Sequence, residues 1–232
     1  MSTFNHRRSS LVQILAVLTA GVLPSRVWAQ FSEGDAASGV KAALERGADA
    51  AVSLLGQNGG FLNNPKVRIP LPGVLNDAAK LLKAMGQQKR VDELVHAMNT
   101  AAEAAVPEAK ALLKSAVKSM SVDDARKLIT GGDDSVTRFF AEKTRTPLGE
   151  KFLPIVTKHT ERLAVADKYN SLASKASGLG LVKAEDANLQ QYVTGKALDG
   201  LYLMIAEEER KIRQDPIGTG SAILKKVFGG LR

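Results

Sequence analysis

The chain has 232 residues, with 32 basic and 24 acidic side chains, a net charge of +8, 44% apolar residues and no cysteine. That composition is enough to bury a real core, so disorder is not the default. The missing thiols exclude disulfides, thiolate chemistry, Cys-ligated zinc and lipid attachment at a lipobox cysteine.

At the N-terminus Arg7 and Arg8 precede an uncharged apolar run from Leu11 to Leu23, and Pro24, Ser25 and Arg26 lead into Val27-Trp28-Ala29. This order is that of a cleavable secretory signal, with the cut expected before Gln30. The run is about 13 residues, short of the roughly 20 that a membrane-spanning helix needs. Arg7-Arg8 raises the twin-arginine route, but Ser10 stands where that signal carries an apolar residue, so the Sec route and a periplasmic destination are expected. Cleavage removes Arg7, Arg8 and Arg26 and no acid, leaving 29 basic against 24 acidic side chains, or +5, on one expected domain of residues 30–232. A modest positive balance in an exported protein suits anionic lipid or polymer surfaces better than nucleic acid.

Few aromatics, hardly any β-branched runs and abundant Ala, Leu, Lys and Glu favour helices, and the expected fold is an all-α multi-helix bundle. Val40, Leu44, Ala48, Ala51, Val52 and Leu55 recur at helical spacing, and Gly56 stops them. Residues 56–73 refuse that period. With three prolines and four glycines they are expected to form one long loop or short extended segment, with Val67, Ile69 and Leu71 alternating against Arg68 and Pro70. Its length inside a helical domain is unusual and suggests either a function or a role in packing alone.

Two further stripes follow, Val74, Leu75, Ala78, Leu81, Leu82, Met85 and then Val91, Leu94, Val95, Met98, Ala102, Ala105. Pro107 opens a helix continued by Leu112, Leu113, Ala116, Val117 and Met120. Ser121 to Asp124 reads as a capping box, and in Gly131-Gly132-Asp133-Asp134 the glycines end one helix and the aspartates cap the next. Thr146-Pro147 is expected to open a longer helix carrying Phe152, Ile155, Val156, His159 and Leu163, and Ser177 to Gly180 to break the chain. From Asn188 to Gln214 runs the strongest helix, apolar nearly all round between Ala197 and Ala206 and therefore central. Its far end, with Glu207–Lys211 and Glu209–Arg213 spaced as ion pairs, should be solvated.

Gly60-Phe-Leu-Asn-Asn-Pro-Lys-Val-Arg-Ile-Pro-Leu-Pro72, Gly131-Gly-Asp-Asp134 and Tyr192-Val-Thr-Gly-Lys-Ala-Leu-Asp-Gly-Leu201, followed by Ile205-Ala-Glu-Glu-Glu209, resemble an exported bacterial family called domain of unknown function 4197. The likeness runs from about Val40 to Phe228. It implies a signal-bearing helical protein of Gram-negative bacteria and carries with it no activity and no functional residue.

Catalytic and cofactor motifs have no support. His96, with Asp92 one turn before it, reads as a surface pair, and His159 as a core histidine; neither has a second ligand at metal spacing. No nucleophile elbow, phosphate loop, dinucleotide fingerprint or calcium loop is present, and Gly218-Thr219-Gly220 lacks a preceding strand. The most unusual chemistry is Lys196 with Asp199, a carboxylate set in an apolar stretch that must be paired or protonated if buried. If the loop packs there, Asn63, Asn64 and Arg68 join Lys196 and Asp199 as contacts for a ligand or partner. The leading reading is a non-enzymatic periplasmic binding protein for a small ligand or an envelope protein. Its alternatives are a carboxylate enzyme using Asp199 and Glu208 with Lys196, and a peripheral envelope protein touching anionic membrane through its basic end, Ile223 to Arg232.

Overall fold

A computed structural model describes residues 33–73, 75, 79–80, 84–86, 88–161, 164–178 and 187–215. The expected signal segment, most of the stripe from Val74 to Leu82, the break after Gly178 and the basic end lie outside the described residues. Helix α1 spans Glu33–Leu55, α2 Gln88–Ala105, α3 Ala109–Lys118, α4 Val122–Thr130, α5 Ser135–Thr160, α6 Ala164–Gly178 and α7 Leu189–Gln214. Among the described residues there is no strand, and the fold is all-α.

Helices α1 and α2 bury most of the stripe that each shows in the sequence. All six stripe residues of α1 are under 7% exposed, as are Val91, Leu94, Met98, Ala102 and Ala105 of α2. Met85, by contrast, sits in a turn and is 73% exposed. Pro107 enters through a 3-10 turn, Val106–Glu108, which leads directly into α3. Missing its N–H costs nothing at such a start.

Ser121 and Asp124 form the capping box of α4: the Asp124 amide donates to Ser121 Oγ at 3.0 Å and the Ser121 amide to Asp124 Oδ2 at 3.0 Å. Those bonds to Ser121 hold the Asp124 carboxyl below its ordinary value of 3.8. A carboxyl lowered in the folded state adds stability at neutral pH, and the contribution is lost as pH falls through 3.8 and below. Ser121→Ala should therefore destabilise the protein at pH 7 and do so less in acid, measured by denaturant titration at both pH values.

Thr146-Pro147 does not open a helix. Helix α5 runs straight through Pro147 and Pro154. An interior proline costs about 3 kcal/mol. Here Phe140, Thr144, Leu148, Phe152, Val156 and Thr160, four apart and all buried, form one unbroken row across both prolines. Burying such side chains is worth roughly 1.5–3 kcal/mol each for the large apolar ones, so packing wins. The same phase turns His159 outward, and it is exposed rather than a core histidine.

Helix α7 is central, packing on α1, α2 and α5, while α1 also meets α3 and α4. Asn188 caps it, accepting from the Gln191 amide at 3.0 Å. Gly200 lets the loop approach: a Cβ there would stand 2.7 Å from Phe61 Cε1 and 3.3 Å from Val67 Cβ. Gly200→Ala should destabilise by about 1–3 kcal/mol through overpacking, read as a lower melting temperature; an unchanged one would mean that Phe61 has room to move.

Candidate functional site

Residues 56–72 carry turns and no helix or strand. They lie between α2 and α7, and the bundle holds them by their backbone. Glu103 of α2, 5% exposed, accepts from the Gly59 amide at 3.1 Å and from the Phe61 and Leu62 amides at 3.0 Å. One turn earlier Asn99 pairs with Ile69 as a neighbouring strand would, taking its N–H at 2.8 Å and giving to its carbonyl at 3.0 Å. A second Asn99 proton goes to the Val95 carbonyl at 2.8 Å. From α7 the Tyr192 hydroxyl donates to the Pro70 carbonyl at 3.1 Å. These bonds satisfy loop amides that would otherwise be buried without partners.

Phe61, Val67 and Ile69 are the loop's buried anchors, and Asn63, Lys66, Arg68 and Pro70 remain exposed. Gly59 makes the turn possible: it has φ +80°, and a Cβ would clash with Asn63 Nδ2.

The sequence-marked residues divide into two groups. Asn64 reaches α7 at Met204, its amide nitrogen 3.9 Å from Sδ, and its neighbour Lys66 pairs with Glu207 at 2.6 Å. Lys196 and Asp199 are joined at 3.8 Å, but the shorter partner of Asp199 is Arg145 of α5 at 2.7 Å. No described hydrogen bond or ion pair links Asn63 or Arg68 to Asp199.

Asp199 is not held in apolar surroundings. Its side chain is 51% exposed, because Leu198 and Gly200 turn inward and leave Lys196, Asp199 and Leu203 on a narrow outer strip. The Arg145 guanidinium lies 5.8 Å from the Tyr202 ring, and the Lys196 ammonium 5.8 Å from the Tyr192 ring. Thr144 gives its hydroxyl proton to the Phe140 carbonyl at 2.6 Å, so Tyr202 donates to Thr144 at 2.9 Å, and burial pushes the Tyr202 phenol up. Exposed pairs contribute about 0–1 kcal/mol, so Asp199→Asn should move the melting temperature by no more than a few degrees; a drop of 10 °C or more would restore a buried role.

The far end of α7 also departs from expectation. Glu207 pairs with Lys66 rather than Lys211, and Lys211 takes Glu208 at 2.6 Å, a bond that raises the Lys211 ammonium. Glu209 does pair with Arg213, at 2.9 Å, yet its side chain is 1% exposed. It accepts from the Val136 and Thr137 amides, each at 3.1 Å, and so caps α5 in place of Asp134, whose side chain makes no cap bond. His96 meets Thr100 at 3.4 Å, and Asp92 instead accepts from Gln88 Nε2 at 2.6 Å.

Sequence reasoning passed over Glu103, Asn99 and Arg145. Glu103 carries a signal: it is the one ionisable residue between Ala97 and Pro107, flanked on both sides by alanine pairs.

Among the described residues, no group of three His, Asp or Glu is placed to hold a metal ion, and no helix is long and apolar enough to cross a membrane. The chain belongs to the family described as "Protein of unknown function (DUF4197)", whose profile matches residues 30–229. Neither the curated proteins nor the solved structures yield a match.

Proposed function

We propose that this is an exported, non-enzymatic binding protein of the bacterial envelope, and that the outer edge of the loop, Asn63, Lys66 and Arg68, meets its partner. The observation that carries this reading is the clamp beneath the edge: a buried carboxylate and a buried amide, Glu103 and Asn99, devoted to the backbone of one irregular segment. A loop ordered in advance loses little freedom on binding, which is the usual route by which irregular surface segments gain affinity. Arg68, beside a Lys66 offset by Glu207, gives that edge a positive character suited to an acidic face of another envelope protein. Export rests on the charge and hydropathy order of residues 7–29.

A carboxylate enzyme has less support. Asp199 and Glu208 stand nine positions apart on α7, about 13 Å along its axis. Asp199 and Lys196 lie on an open strip rather than in a cleft.

A photoreactive residue introduced at Asn63 or Arg68 in the producing cell tests the proposal, with Lys158 as an exposed control position. A discrete adduct from the loop positions alone, lost when Lys66→Glu and Arg68→Glu are added, is the expected result. Equal labelling from Lys158, or none from the loop, would remove the reading. An uncleaved chain in the cytoplasmic fraction would remove its envelope part.

A further inference from the structure

On the side of α7 away from the loop, a groove opens between α1, α4, α5 and α7. Ala43, Gly47, Ile129, Val136, Phe140 and Ile212 are among the residues lining it. Ile129, Val136 and Ile212 are only half-buried, so an apolar rim stays open to solvent. Its cavity volume is about 30 Å³, against the roughly 300 Å³ or more of a small-molecule pocket. Such a crevice takes protruding side chains, not a metabolite.

We propose that this groove is the docking site of the chain's own segment 221–228. Where α7 ends decides the occupant. Ile212 and Arg213 form part of the lining, α7 finishes at Gln214, and 17 residues follow Asp215. The first of them, Pro216-Ile-Gly-Thr-Gly220, have the composition of a reversal. Ile223 is eight residues beyond Asp215, a span of up to about 27 Å when extended, so the whole groove is within reach.

The pattern then matches the surface. In Ser221-Ala-Ile-Leu-Lys-Lys-Val-Phe228 the apolar Ile223, Leu224, Val227 and Phe228 fall on one helical face, and Lys225 and Lys226 on the other. Eight helical residues are about 12 Å long, the same length as the α1 wall from Val40 to Ala48. Gly47 keeps that wall low: a Cβ there would sit 3.6 Å from Glu208 Cβ and 3.7 Å from Ile212 Cδ1, ordinary contact distances.

The absence of native cysteine makes the test direct. Gly47→Cys with Phe228→Cys, treated in the purified full chain with a short bis-maleimide, should give an intrachain crosslink in most molecules. Lys158→Cys with Phe228→Cys should not, since Lys158 lies 18 residues beyond Phe140 on α5, about 27 Å along the helix. Ile129→Cys with Leu224→Cys provides a second pair should the first fold poorly, and circular dichroism confirms folding of each. A predominantly interchain product would overturn the proposal in favour of a second copy in the groove. Yields equal to the Lys158 control would overturn it outright.

Discussion

Glu209→Ala is expected to lower the melting temperature by about 10 °C. Glu209 brings a negative charge from α7 to the first turn of the 26-residue helix α5, where unpaired amides and the positive end of the helix dipole meet it. Beyond the Val136 and Thr137 amides it accepts from Thr137 Oγ1 at 3.0 Å and from Arg213 Nε and Nη2 at 3.1 and 2.9 Å. Arg213 goes on to the Leu128 carbonyl at 2.9 Å and to Ser135 Oγ at 2.7 Å, tying the end of α4 into the same network. Removing the carboxylate takes its 2.9 Å partner from a guanidinium only 15% exposed. Breaking one side of such a pair costs about 3–5 kcal/mol, and a protein of this size loses about 2–4 °C per kcal/mol.

The double variant Glu209→Leu with Arg213→Met separates charge from packing. It removes both charges together, and should recover part of the loss, because an apolar pair of similar volume no longer strands a buried ion. Thermal unfolding of the two variants side by side is the check. A single-variant shift under about 3 °C would mean that water reaches Arg213 and that the pair contributes little.

How far such features were legible differs from helix to helix. The stripes of α1 and α2 were readable because one buried face per helix imposes a spacing that composition cannot hide. Thr146-Pro147 is a strong local signal for a helix start, and only the spacing-of-four row from Phe140 to Thr160 overrides it. Glu209 stands in a charged run whose composition suggests solvation. Extending the row Leu198, Leu201, Ile205 by four lands on Glu209, with Ile212 beyond it, so the phase of α7 held the answer that the charge run concealed. Asp199 failed in the opposite sense: apolar neighbours suggested burial, but its own angle on the helix points out. The partner of a buried group stayed out of reach throughout, since Glu103 and the loop amides it binds are more than 40 positions apart.

That pairing carries the second large prediction. Glu103→Ala should cost about 3 kcal/mol, with a melting temperature lower by roughly 6–12 °C, because the Phe61 amide is left buried without a partner and the Gly59 and Leu62 amides must find water. Glu103→Gln is the sharper variant. It keeps one acceptor oxygen for the Phe61 and Leu62 amides but turns an NH₂ group toward the Gly59 N–H, setting donor against donor. The global loss should then be smaller, about 1–2 kcal/mol, while hydrogen exchange at Gly59 speeds up more than at Phe61 or Leu62. Uniform acceleration across all three amides would mean that the carboxylate's charge, and not the direction of its bonds, orders the loop. Loss of the Asn63 adduct in Glu103→Gln at a temperature where the bundle remains folded would tie the clamp to recognition, since nothing in that substitution touches Asn63, Lys66 or Arg68 except through the backbone that carries them.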